Sequence, residues 1–479
     1  VLENSGALLA ALLQILLSVI ASGHVLLNKR EVHAAIGWVA LIWFVPVAGA
    51  VLYFLFGINR VRRRAAGLRA RYAASTSARR DSGQSQRALQ KPRSNQLATI
   101  TRVLDAVAGQ PLTEGNRIEP LASGTAAYAA MLDAIAAARR SVGLSSYIFD
   151  LDTAGRRFVA ALAAAEARGV AVRVLIDGIG VHYSHPPITT ELKRHGVPAA
   201  TFLPGLLPFF IQYANLRNHR KILVVDGEVA FTGGMNLRAG HLDEAPLPTA
   251  IRDVHFRLLG PVVDQLLTTF VEDWRYATGE DLNGDAWRAF VPADAGGSVL
   301  ARVITSGPDE DFERIRLAVL AAIAAARCRL RIVTPYFLPG AALMEQLELA
   351  ALRGLRVEIV MPKENNLKLV EWASLARIGT LLDRGCRIWL SPPPFDHAKL
   401  MTVDGEFSLI GSANWDPRSF SLNFEVNVEC YDEAFTAHLD DLIDRRIGAA
   451  QALTHAEINN RSLARKMRDG AAWLLSPYL

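Results

Sequence analysis

The chain has 479 residues, more than one hydrophobic core usually organises, so two or three domains are expected. Its composition is globular but leans apolar, with 51% hydrophobic residues and a mean hydropathy of +0.18. The formal net charge of +5 is local: residues 58–93 hold eleven Lys and Arg against Asp81 alone, which leaves −5 for the rest of the chain. A nucleic-acid binder would carry its cations along the functional face, and this distribution argues against one.

From the N-terminus, Ala7–Leu27 and Ala34–Ile58 contain no fixed charge, and a bilayer core needs about 20 such residues as a helix. Two membrane-crossing helices are expected, the second kinked at Pro46. A signal peptide would open on a charged region and would not be followed so closely by a second apolar segment; a buried helical pair of a soluble core is the other alternative. The cationic stretch that follows suits an anionic leaflet, each cation near the surface contributing on the order of 1 kcal/mol. The positive-inside bias puts everything after Ile58 in the cytoplasm, against Lys29 and Arg30 in the short loop. Cys328, Cys386 and Cys430 are odd in number and far apart, like ordinary reduced thiols of a cytoplasmic body.

Beyond the linker the sequence is written twice. "AIAAAR" occurs at Ala134–Arg139 and again at Ala322–Arg327. Each copy leads into an apolar strand ("SVGLSSYIF", "LRIVTPYF"), then an Ala/Leu-rich helix stopped by Gly169 or Gly354, then a Val/Ile-rich strand. Such a repeat implies two duplicated α/β sandwich lobes with largely parallel strands. The expected division is 1–58, two transmembrane helices; 59–100, a basic and polar juxtamembrane linker; 101–288, a first lobe; and 289–479, a second, with the boundary in the Gly/Asp/Ala-rich stretch Ala277–Val299.

Inside the repeat sits a second, tighter one. "HRKILVVDGEVAFTGGMN" (His219–Asn236) and "HAKLMTVDGEFSLIGSAN" (His397–Asn414) match at a constant offset of 178. On an extended strand residues i and i+2 face the same way, so His219 and Lys221 share a face, as do His397 and Lys399. Asp-Gly between apolar runs signals a hairpin, so Asp226 and Asp404 are best read as turn residues although they belong to the motif. Gly233-Gly234 and Gly411-Ser412 would let backbone N–H groups approach an anion, and Lys and Asn add donors, with Asn236 and Asn414 closing the motifs. Imidazole, ammonium and amide around small residues suit a phosphoryl group. Neither motif clusters carboxylates as a metal site would, so metal-independent phosphodiester chemistry without a cofactor is expected. One histidine attacks phosphorus; the other protonates the leaving alkoxide and then deprotonates the incoming alcohol. A single copy would lack the acid, which explains the duplication. The acids that orient the histidines should come from elsewhere; the candidates are Asp253 and Glu425, each on an apolar strand where an unpaired carboxylate would be costly.

The paired H-x-K-x4-D-x6-G-[GS]-x-N motifs resemble the phospholipase D superfamily and, within it, the bacterial cardiolipin synthases. The finer likeness lies in "LRNHRKILVVDG", "SGPDED" at Ser306, "TPYFLPG" at Thr334, "DPRSFSLNFEVN" at Asp416, the N-terminal apolar pair and the closing "LLSPYL". Trp415 and Pro417 depart from the commoner wording, a difference that bears on substrate choice. The resemblance covers nearly the whole chain. It implies two lobes related by a pseudo-twofold around one shared site, preceded by a transmembrane helical hairpin in the bacterial cytoplasmic membrane. It also implies phosphatidyl transfer between two phosphatidylglycerols, giving cardiolipin and glycerol, with anionic lipids and the bilayer as partners and no nucleic acid. By analogy with two-lobed relatives, His219 is the nucleophile and His397 the acid and base, although the reverse assignment stays open. Lys221, Lys399, Asn236 and Asn414 would clamp the phosphate.

Two apolar stretches bear on the lipid. "FLPGLLPFFIQY" (Phe202–Tyr213) reads as an acyl-chain groove, a loop dipping into the leaflet, or a plug of ordinary core. "RSLARKMRDGAAWLLSPYL" at the C-terminal end reads as an interfacial contact or as packing against its own lobe. Three rival functions remain: a phospholipase D that uses water as acceptor and yields phosphatidic acid, a nuclease, and a membrane scaffold. The acidic sum of the lobes weighs against the nuclease, and two intact motifs weigh against the scaffold. The oligomeric state stays open, a homo-oligomer included.

Overall fold

The computed structural model describes residues 2–29, 32–45, 47–57, 95–203, 216–290, 296–307 and 313–476. Nearly all of the basic linker, most of the apolar loop 202–213, most of "SGPDED" and the last three residues lie outside them. The chain divides into two compact units, residues 1–71 with 207–214 and residues 72–206 with 215–479.

In the N-terminal unit Leu2–Asn28 is a single helix. Within it Ala11–Asn28 is, among the described residues, the one stretch long and apolar enough to cross a bilayer, with mean hydropathy 1.8. The second apolar segment is not one continuous helix. Val32–Phe44 is helical, Ala48–Leu52 forms a further short helix, and Tyr53–Gly57 widens into a π-helical turn. The interruption falls where the sequence has Pro46, which has no N–H with which to continue the ladder. Val25, Ile42 and Tyr53 bury one another, and His24 Nδ1 lies 2.8 Å from the Tyr53 hydroxyl.

The larger unit is built on strands. Its first half supplies β1 (Thr113–Leu121), β2 (Ser141–Ser146), β3 (Ala171–Asp177), β4 (Ala199–Phe202), β5 (Ile222–Val225), β6 (Val229–Gly233), β7 (Ile251–Arg252) and β8 (His255–Leu259). The second half supplies β9 (Val299–Ser306), β10 (Arg329–Val333), β11 (Arg356–Pro362), β12 (Arg387–Ser391), β13 (Phe395–Asp396), β14 (Leu400–Val403), β15 (Phe407–Gly411), β16 (Glu425–Tyr431) and β17 (Gln451–Ala452). Fifteen of these form one sheet in the order β17-β12-β11-β10-β14-β15-β16-β9-β1-β8-β6-β5-β2-β3-β4. Outward from the β9–β1 seam, each half runs through its strands in the equivalent order. That is the duplication seen as topology.

The expectation of largely parallel strands is corrected. β2, β3 and β4 run parallel, as do β10, β11 and β12, and the remaining pairings in this sheet are antiparallel. Parallel pairing is confined to the stretches where a helix carries the chain back across the sheet, whereas the Asp-Gly turns reverse it directly. The fold is therefore mixed α/β.

A single core continues under both halves, with Ile118, Phe256 and Phe270 from the first meeting Val303, Val426 and Ile443 from the second. The helix Asn95–Val107 lies in sequence at the join of linker and first lobe, yet its Leu97, Ile100 and Leu104 are buried beside Ile315 and Val319 of the second half. The halves are stitched again away from the seam. β13 pairs in parallel with β7, placing Asp396 opposite Arg252, and Asn218 bridges to Phe424. The His397 N–H donates to the Arg252 carbonyl at 2.7 Å, and the His219 N–H donates to the Phe424 carbonyl at 2.9 Å.

Candidate active site

Those two stitches determine what each histidine meets. Asp253 follows Arg252 and Glu425 follows Phe424, so each carboxylate arrives beside the histidine of the other half. His219 Nδ1 lies 3.0 Å from Glu425 Oε2, and His397 Nδ1 lies 2.8 Å from Asp253 Oδ2. A neutral imidazole donates from Nδ1 to such a carboxylate and keeps the lone pair on Nε2, the tautomer a nucleophile or base requires. Burial pushes both imidazoles below their ordinary pKa; for His397 the neighbouring charges of Lys399, Lys221 and His219 press the same way. His219 and His397 thus sense each other and both lysines within one pocket of charge.

Lys221 and Lys399 are buried, and each folds its ammonium back onto the carbonyl of the histidine two residues earlier. Burial lowers Lys221 to about 7 and Lys399 to about 8, against partial compensation from Glu425 and Asp253. Two amines that exchange a proton near neutral pH respond to the charge around them. An incoming negative charge stabilises the protonated forms.

The carboxylates differ. Burial works against the ionised form of Glu425, but His219, Lys221 and the Ser412 hydroxyl outweigh it and hold its pKa below the usual range. Ser412 Oγ donates to Glu425 Oε2 and Asn423 Nδ2 donates to Oε1 at 3.2 Å. For Asp253 burial wins and pushes the pKa up. Its Oδ1 accepts from its neighbour Val254 N–H at 2.7 Å, and it sits against Gly234, where a Cβ would lie 2.5 Å from the same oxygen.

The small-residue turns are places of close backbone approach. Gly233 and Gly411 have φ of 146° and 153°, and a Cβ on either would strike the neighbouring strand at the Val254 or Val426 carbonyl. The Ser412 N–H is spent on the Val426 carbonyl at 2.9 Å, and the Gly234 N–H points to the Val254 carbonyl at 3.5 Å. These residues let the motif strand press against the segment that carries the acid, Glu425 opening β16 and Asp253 lying in the short link between β7 and β8. Asn236 Oδ1 accepts from the Ile148 N–H at 3.1 Å, whereas Asn414 Oδ1 is buried with no hydrogen-bond partner among the described residues.

Asp226 and Asp404 sit in the hairpin turns with φ of 54° and 52°, a conformation Asp tolerates. The Asp226 carboxylate accepts from the N–H groups of Arg139, Arg140 and Ser141, and that of Asp404 from Arg327, Cys328 and Arg329. Each therefore pins its turn to the start of β2 or β10.

Sequence reasoning missed several neighbours. Tyr147 lies edge-on to His219 with ring centroids 5.0 Å apart, and Lys221 Nζ is 5.3 Å from the Tyr147 ring. Tyr336 stands edge-on to His397 at 6.3 Å. The repeated "SSYIF" and "TPYF" could have revealed this pair. Arg220, fully buried, pairs with Asp273 at 2.5 Å and donates to the Glu425 carbonyl at 3.1 Å. In the other half Ala398 takes the place of Arg220, and Arg446 Nε instead donates to Asp396 at 2.8 Å.

Comparison with known proteins follows the same lines. The family described as "Cardiolipin synthase, PLD-like domain" matches residues 131–258 and 319–447, and "Phospholipase_D-nuclease N-terminal" matches 16–57. The chain is 30% identical to a cardiolipin synthase of Listeria monocytogenes over 98% of its own length and all of the relative's. It is 31% identical to the major cardiolipin synthase ClsA of Bacillus subtilis, over 98% of both chains. Among solved structures, the phosphatidylserine synthase of Haemophilus influenzae superposes with a TM-score of 0.62 at 15% identity, covering 79% of this chain and all of that one, a likeness of fold. With its duplicated domain matched twice and relatives aligned over nearly their whole length, the chain belongs to the cardiolipin synthase family of phospholipase D-like proteins.

Proposed function

We propose that the chain is a membrane-anchored phosphatidyltransferase that makes cardiolipin and glycerol from two molecules of phosphatidylglycerol. The observation that carries this reading is the pair of buried histidines, each held at Nδ1 by a carboxylate from the other half and each accompanied by a buried lysine. Such a set stores a phosphoryl group covalently and supplies acid and base to both half-reactions.

In the first half-reaction Nε2 of His219 attacks phosphorus, forming the P–N bond as the P–O bond to glycerol breaks, and His397 gives its proton to the departing alkoxide. The phosphodiester's own negative charge raises the proton affinity of His397 and of both lysines, so the acid is charged when the substrate is present. In the second, His397 takes the proton from a hydroxyl of the second phosphatidylglycerol, whose oxygen displaces His219 from phosphorus. One phosphodiester replaces another, so no nucleotide is consumed. Lys221, Lys399, Asn236 and Asn414 meet the charge on the phosphoryl oxygens. His219 is the better nucleophile because the firmly ionised Glu425 stabilises the positive charge that its ring acquires.

The two halves, 101–288 and 289–479, act as lobes about a pseudo-twofold with this single site between them. Residues 1–58 form a helical hairpin in the bacterial cytoplasmic membrane, and the cationic segment after them keeps the catalytic body on the cytoplasmic side. The test is to incubate the purified chain with phosphatidylglycerol in mixed micelles, with chelator and without nucleotide, and to follow products by mass spectrometry. Cardiolipin and glycerol in equal amounts, lost in His219→Ala, support the reading. Phosphatidic acid without cardiolipin would make the protein a hydrolase.

A further inference from the structure

The helix Leu463–Leu474 carries its apolar stripe on the wrong side for a packing helix. At 3.6 residues per turn, Leu463, Met467 and Leu474 fall within about 40° of one another on its surface. They are 74%, 68% and 69% exposed, whereas Ala472 and Asp469, on the opposite side, are 3% and 0% exposed. Packing alone would have turned the stripe inward.

The orientation is locked. Asp469 is paired with Arg461 at 2.5 Å and with Arg468 at 2.7 Å, and Arg461 also donates to the Leu375 carbonyl. The Arg377 guanidinium lies 3.8 Å from the Trp473 ring, and that of Arg468 lies 4.3 Å from the Trp372 ring. Rolling the helix to hide the stripe would break both tryptophan contacts and expose the Asp469 carboxylate with its two arginines. The neighbouring helix Lys368–Leu375 adds Leu369, 45% exposed.

We propose that this face is a second membrane-contact surface, lying in the headgroup region of an anionic bilayer independently of the N-terminal helices. Exposed Lys466 flanks the stripe, about 60–100° round the helix from its members, whereas Arg465 stands on the opposite side; an apolar stripe with a flanking cation suits an interfacial helix on anionic lipid. A second copy docked stripe to stripe would bring the two Lys466 ammonium groups together, so charge favours lipid over self-association. The inference rests on the lipid-transfer reading only for its choice of partner.

The test uses the full chain reconstituted in vesicles of phosphatidylglycerol and phosphatidylcholine, with a spin label on Met467→Cys in a Cys328→Ser background; Cys386 and Cys430 are buried. A control label on Arg157→Cys marks an exposed site of the first half. The label at 467 is expected to collide severalfold more often with oxygen than with a water-soluble nickel chelate, relative to the control. Separately, Leu463→Gln/Met467→Gln/Leu474→Gln is expected to slow turnover severalfold on vesicles and leave it unchanged in detergent micelles. An aqueous collision profile at 467 would overturn the proposal, as would spin–spin broadening between copies. Depth is read without turnover, so failure of this surface and failure of the catalytic reading are seen separately.

Discussion

The two halves of the catalytic body share a topology and a motif, but they stabilise their site with opposite charges. In the first half the motif supplies the cation, Arg220, and the helix Val262–Thr278 supplies its partner Asp273. In the second the residue just before the motif, Asp396, supplies the anion, and the helix Glu433–Ala449 supplies Arg446. The acids differ too: Glu425 is ringed by donors and held ionised, while Asp253 is buried and pushed toward its neutral form. Duplication delivered two equivalent histidines, and the divergence of their surroundings is what the proposed unequal roles rest on.

The comparison is broken most forcefully at the histidines. His219→Ala and His397→Ala should each lower cardiolipin formation by about 10²–10⁴-fold or more, the range for loss of acid–base or nucleophilic catalysis. They should part company on a phosphodiester with a good leaving group such as p-nitrophenolate: the His397 variant regains the first half-reaction, seen as a burst of nitrophenolate, and the His219 variant does not. Next come the crossed acids. Glu425→Gln and Asp253→Asn should each cost about 10- to 100-fold in kcat, as loss of an orienting partner does, with the larger loss at Glu425, whose charge balances the phosphorylated ring. Equal losses would remove the basis for unequal roles.

The charged struts should show in stability. Arg220→Met takes the paired guanidinium from buried Asp273, and Arg446→Met takes it from buried Asp396, each costing about 3–5 kcal/mol in thermal or denaturant unfolding of the body. Arg220→Met/Asp273→Leu should recover much of that loss, since an apolar pair of similar volume can replace a buried ion pair. A subtler signature belongs to the lysines. Folded Lys221 and Lys399 titrate near 7 and 8, well below the ordinary value of 10.5. Between the folded and unfolded values the unfolded chain binds protons that the folded chain has lost, so these groups make stability rise with pH from about 7 to about 10. Lys221→Met should flatten that rise in melting curves, and inorganic phosphate, by favouring the charged lysines, should do the same to the wild type. The smallest effects are expected in the turns: Asp226→Asn and Asp404→Asn weaken charge-assisted bonds to backbone N–H groups, lowering stability by about 1–2 kcal/mol and leaving kcat nearly unchanged.

Much of this site could be read in advance because it is repeated. The constant offset between His219-Lys221 and His397-Lys399 isolates the reactive groups without reference to a fold, and the cost of burying a carboxylate on an apolar strand singles out Asp253 and Glu425. Their partners could not be read, since contacts spanning 206 and 144 residues leave no trace in local spacing. Strand direction was hidden for a related reason: a buried Val/Ile run looks the same in a parallel and an antiparallel pair. The glycine turns are legible as close approaches, but not the group that approaches in the structure, the carbonyl of the neighbouring segment. Arg220 was passed over because a cation between two motif residues looks like surface decoration until its burial is known.

The most direct test of a crossed site with unequal histidines is to locate the covalent intermediate. The full chain would be mixed with phosphatidylglycerol labelled at phosphorus, quenched in base within the first turnover, and digested for peptide mapping. The account predicts acid-labile label on the peptide holding His219, severely diminished in Glu425→Gln and, for want of an acid to protonate the leaving glycerol, in His397→Ala. Label on the His397 peptide, or cardiolipin formed with no labelled histidine at any time, would contradict it.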